Sequence, residues 1–112
     1  MKFYDSLFMD EKLLQKKEAI IKKLKNNQWQ FEIYLIVLSK NENNHLELFH
    51  SVLLQQKAIS KDDLFVVGIA SGYQEALELV EKITQQVYDK TNEVDIRNYI
   101  LTNQNEYEKG NV

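Results

Sequence analysis

Apolar and polar positions along this chain follow more than one period, and each change of period marks an element. Across residues 6–27, Leu7, Leu13, Leu14, Ile20, Ile21 and Leu24 fall on one stripe when wound at about 3.6 residues per turn, which predicts an amphipathic helix. Asn26 and Asn27 mark its end, since asparagine tolerates the left-handed backbone that often closes a helix. Residues 1–5 either prolong this helix or form a separate arm. Leu7, Leu14 and Ile21 also sit in heptad spacing, but Asp10 and Lys17 occupy the intervening core positions. A coiled coil therefore fails, and packing against a sheet is expected instead.

Residues 30–38 are dense in β-branched and aromatic side chains and read as a strand buried on both faces through its second half. The polar residues 39–44, with three asparagines, form the turn of a hairpin. Residues 45–54 fit either a strand or a helix. The short turn before them favours an antiparallel strand over residues 46–51, followed by a helical turn over 52–58. Lys61, Asp62 and Asp63 break the pattern before a third strand over residues 64–70.

Ser71-Gly72-Tyr73-Gln74 then fits a capping box, in which the Gln74 N–H donates to the Ser71 hydroxyl and the Ser71 N–H to the Gln74 side chain. Ala76, Leu77, Val80, Ile83 and Val87 continue a helix that Thr91 and Asn92 close. A short last helix follows through Val94, Ile96, Tyr99 and Ile100, and residues 102–112 form a polar tail expected to fray. The predicted fold is a single α+β domain over residues 1–101. It has two layers: an N-terminal amphipathic helix, a three-stranded sheet whose first two strands are an antiparallel hairpin, and two C-terminal helices.

Composition narrows the function classes. The chain has 112 residues and no cysteine, which removes disulfides, thiolate metal sites and cysteine nucleophiles. Its longest apolar run, Ile33 to Leu38, is far short of the roughly 20 residues of a membrane-spanning helix. With acids at Asp5, Asp10 and Glu11 the N-terminus does not read as a secretory signal, and a cytoplasmic location is the expectation. Net charge is -3, with seven lysines against four acids in residues 1–28 and the excess of acid beyond. Those lysines read as the solvated face of a helix. The single arginine, Arg97, lies in the acidic part, so no nucleic-acid partner is expected.

The residues with the most chemical promise are few. Gly68, Ser71, Gly72 and Tyr73 lie where a strand gives way to a helix, a place where backbone N–H groups can hold a small anion or nucleotide. Their spacing matches neither a dinucleotide fingerprint nor a phosphate loop, and Ala70 stands where a nucleophile elbow needs serine. Ordinary turn chemistry explains them equally: close packing at Gly68, positive φ at Gly72, a cap at Ser71. His45 and His50 are five apart, on opposite faces of a strand, and do not form a metal pair. His50 with Asp62 is the possible polar site. A hydrolase or transferase built on His50 would need a third group to orient it.

Trp29, Phe31 and Tyr34 read as core packing, and Tyr73, Tyr88 and Tyr99 as core or as an aromatic contact patch at one end of the domain. No cofactor and no metal are expected. The leading reading is a non-enzymatic protein acting through contacts with another protein or with a second copy of itself, since three strands with open edges could pair in a homodimer. Binding of a small anionic ligand at Gly68–Gly72 is the alternative.

Overall fold

The computed structural model describes residues 1–28, 30, 32–39, 45–55 and 63–110. The first element is a strand, not a helix. β1 runs Lys2–Met9, and a 3-10 helix, Glu11–Lys16, leads into α1, Lys17–Lys25. Asp10 is the cap that separates them, its side chain accepting the Lys12 N–H. The predicted stripe therefore merged two elements. Leu13, Ile20 and Leu24 are buried as helical residues, whereas Leu7 packs from the strand and Leu14 stands 55% exposed. The end at Asn27 falls as expected, with φ at 60°.

β2, Tyr34–Leu38, and β3, Leu46–His50, form the expected antiparallel hairpin, with Tyr34 opposite His50. The expected helical turn follows as a 3-10 helix over Ser51–Gln55, and its residues 56–58 lie outside the described residues. β4 is Phe65–Ala70, α2 is Tyr73–Thr91 and α3 is Ile96–Gly110. α2 closes where predicted, with Asn92 left-handed at φ 57°. α3 instead continues through most of the stretch expected to fray. Its second half is held by β1: Gln104 is buried and its Oε1 accepts the Asp5 N–H at 2.8 Å, Asn103 Nδ2 donates to the Tyr4 hydroxyl at 3.2 Å, and Glu108 pairs with Lys2.

The sheet has four strands in the order β1-β4-β2-β3, with β1 parallel to β4 and the other pairs antiparallel. The expected three-stranded sheet lacked β1. Alternation along β2 feeds two cores. Ile36 and Leu38 join Val67, Ala76, Leu79, Ile83 and Ile100 under α2 and α3, while Leu35 and Val37 join Val66, Ile69, Leu13, Ile20 and Leu24 under α1. Helices therefore cover both faces, which corrects the two-layer expectation.

A bulge crosses the middle of the sheet. Ile36 pairs with Gly68 and Val37 with Val66, leaving Val67 as the extra residue on β4, and β1 shifts register beside it, between Phe3 and Phe8. A Cβ on Gly68 would lie 3.2 Å from Ile36 Cδ1 and from Leu79 Cδ2, so close packing is what glycine serves there, as the sequence suggested. Among the described residues no helix is long and apolar enough to cross a membrane.

Candidate functional site

One end of the sheet gathers the C-terminal ends of β1, β3 and β4 and the N-terminal end of β2. Strand direction alone thus delivers Asp10, His50, Ser71 and Tyr34 to the same edge of the molecule. A cleft of about 670 Å³ opens there, lined by Lys12, Glu32, Tyr34, His50, Ser71, Gly72, Tyr73 and Glu75. Four of the residues singled out from sequence meet in it: His50, Ser71, Gly72 and Tyr73. Gly68 is not part of its lining and serves packing. Asp62, the suggested partner of His50, lies outside the described residues, as do Trp29 and Phe31.

The rings make one wall. The Tyr34 ring meets His50 edge-on at 4.9 Å between centroids and Tyr73 at 5.9 Å, and Tyr73 remains 58% exposed. His50 Nδ1 accepts the Val52 N–H at 3.0 Å, which selects the tautomer bearing its proton on Nε2. Of the two readings of Tyr73, Tyr88 and Tyr99, core packing fails for the exposed Tyr73 and Tyr88, and a shared patch at one end of the domain is not assembled. Tyr73 and Tyr88 sit near opposite ends of α2, about 22 Å apart at 1.5 Å per residue, and Tyr99 packs beside the core with its hydroxyl accepting from Gln86 Nε2 at 3.2 Å.

The strand-to-helix junction is wired differently from a capping box. Gly72, not Ser71, is the N-cap of α2, and no side chain caps it. Its backbone is fully extended, with φ at 179°, so the positive φ expected of this glycine is absent. Ser71 turns instead to Asp10, donating both its N–H, at 3.2 Å, and its hydroxyl to Asp10 Oδ2. A carboxylate is a stronger acceptor than the Gln74 amide, and the end of β1 brings it within reach.

Burial by itself pushes the Asp10 carboxyl up. The hydrogen bonds from the Ser71 hydroxyl and from the Lys12 and Ser71 N–H groups, with the Lys12 charge, outweigh it and hold the group below its ordinary 3.8. Glu75 is likewise held down, by its own backbone N–H first and then by Lys12, whose Nζ donates to Oε1 at 3.2 Å. The same pairing raises Lys12. Around the start of α2, the Ser71 N–H and hydroxyl and the Glu75 N–H are therefore already engaged by the protein's own carboxylates.

Comparison with known protein families, curated proteins and solved structures finds no match. Chemistry therefore has to be read from the cleft alone. The residues the sequence reading missed there are Lys12, Glu32, Tyr34 and Glu75, with Asp10 behind them. Asp10 was legible only as a polar interruption of the N-terminal stripe, and Tyr34 as core packing within a strand. That they would face Ser71 and Tyr73 depends on β1 lying beside β4. His45 lies elsewhere, its Nδ1 accepting the Arg97 N–H at 3.3 Å. Among the described residues no group of three or more histidines and acids is placed to hold a metal ion.

Proposed function

We propose that the protein is a non-catalytic binding protein whose cleft takes a basic side chain, lysine or arginine, from a partner polypeptide. The observation that carries this is the lining itself: the Tyr34, His50 and Tyr73 rings together with the Glu32 carboxylate, beside Glu75, whose carboxylate already pairs with Lys12. A cation over a tyrosine face gains about 0.5–2 kcal/mol, and a flanking carboxylate adds hydrogen bonds to it. Arginine suits this arrangement better than lysine, because its planar guanidinium can stack on a ring while its edge meets a carboxylate.

The alternative, a small anion at the helix start, is less well supported. Such an anion would have to displace Asp10 from Ser71 and approach Glu75, two carboxylates that already hold the Ser71 donors and the Glu75 N–H. A catalytic reading gains little either. The serine hydroxyl donates to a carboxylate held below its ordinary titration range, which makes it a poor base, and Nδ1 of His50 is taken up by Val52.

The test is an amide chemical-shift titration of the labelled protein with acetyl-Gly-Arg-Gly-amide, acetyl-Gly-Glu-Gly-amide and inorganic phosphate. Saturable shifts at Tyr34, His50 and Tyr73 with the arginine peptide alone are expected, and Tyr34→Ala should remove them. Saturation by phosphate at Ser71 to Tyr73, with no response to arginine, would replace this reading by the anion site.

A further inference from the structure

Among the described residues, three that are not glycine hold a left-handed backbone: Asn27, Glu32 and Asn92, with φ at 60°, 62° and 57°. This conformation crowds Cβ against the following carbonyl oxygen, a cost that glycine escapes and asparagine tolerates best. Two of the three sites follow that rule, Asn27 just beyond α1 and Asn92 at the end of α2. Glu32 departs from it. A non-glycine residue held in this region persists where the surrounding structure fixes it, commonly at functional sites. Glu32 is exposed and lines the Tyr34–Tyr73 cleft.

Its charge is also the one this cleft leaves uncompensated. Lys12 pairs with Glu75, so of the charged groups in the lining only Glu32 is without an ion pair among the described residues. Lys16 and Lys23 border a neighbouring cleft together with Glu32 but make no ion pair with it. We infer that Glu32 is the specificity-determining residue of the cleft: its carboxylate selects a cationic side chain over a neutral one of the same shape, which is why glutamate stands where the backbone favours asparagine or glycine. This rests on the reading of the cleft given above and adds the group that discriminates.

Calorimetric titration with acetyl-Gly-Arg-Gly-amide and its citrulline counterpart, whose side chain is neutral and nearly the same planar shape, tests this beside thermal denaturation of two variants. The wild-type protein should bind the arginine peptide roughly three- to tenfold more tightly, the size expected of one solvent-exposed ion pair. Glu32→Gln keeps the length and the strained backbone but loses the charge. It should bind both peptides equally, with a Tm close to wild type. Glu32→Asn should lose the same preference while its Tm rises by roughly 1–5 °C. A preference for arginine that survives in Glu32→Gln assigns selection to another group, and overturns the inference while leaving the basic-side-chain cleft standing. A Tm for Glu32→Asn at or below wild type does the same, because glutamate would then suit this backbone. Wild-type binding of neither peptide, or of both equally, removes the cleft reading and this inference together.

Discussion

Asp10 joins three parts of the molecule: it caps the 3-10 helix through the Lys12 N–H, and it ties the end of β1 to Ser71 at the start of α2. Asp10→Asn keeps the shape but turns an amide donor or a weaker acceptor toward Ser71, and it should cost about 1–2 kcal/mol at neutral pH by urea denaturation. The pH dependence has a definite sign. Because the folded carboxyl titrates below its ordinary 3.8, its stabilisation is present in full above that value and is lost as pH falls through the lower, folded value. The gap between wild type and variant should therefore close on acidification below about pH 4. Gly68 supplies a second residue-level test. Gly68→Val would drive two methyls toward Ile36 and Leu79, already 3.2 Å from an added Cβ, and should cost at least 1–3 kcal/mol. Gly72→Ala meets only the Glu75 carboxyl group, at 2.7 Å, the far end of a long side chain that can give way, and should cost less than Gly68→Val. Sequence located both glycines and Ser71 but assigned Ser71 a local partner. The real one is 61 residues away, a separation that no short-range motif encodes.

At the scale of elements, β2, β4 and α2 were legible because each is one pattern between clear breaks, whereas β3, whose residues fit either period, was legible only from the short turn before it. The N-terminus was not, because a strand ending in Leu7-Phe8-Met9 and a helix opening at Glu11 happen to place leucines on a common helical stripe. What distinguishes the two readings is which leucine is buried. Leu13 is 7% exposed and Leu14 55%. Leu13→Ala should lower stability by about 2–4 kcal/mol, whereas Leu14→Ala should change it by no more than about 0.5 kcal/mol. A continuous helix over residues 6–27 packed by its stripe would make the two comparable, so equal losses in thermal denaturation would contradict β1. The end of α3 was missed for a related reason. Its residues are polar, and it is ordered by hydrogen bonds to β1, an element the pattern did not reveal.

For the molecule as a whole, the question is whether the sheet stays closed to other copies of itself. Open edge strands invite pairing, and β1 and β3 are the two edges here. The described residues carry a safeguard on each. On β3, a strand of only five residues, Glu47 is exposed and hydrogen-bonded to Ser39. On β1, the Asp5 N–H that an incoming strand would use is taken by buried Gln104. The homodimer raised by the sequence reading therefore loses its simplest route, and light scattering should return the mass of one 13.3 kDa chain at micromolar concentration. Gln104→Ala reopens that route at a definite place. It leaves the Asp5 N–H without its partner, at a cost of about 1–3 kcal/mol, and frees β1 to pair with another strand. The variant should thus be less stable and also gain mass with concentration, and Asp5→Pro, which removes the donor altogether, should suppress the gain in the Gln104→Ala background. Destabilisation without self-association would mean that Gln104 serves α3 packing alone, and a dimeric wild-type protein would place the contact away from β1.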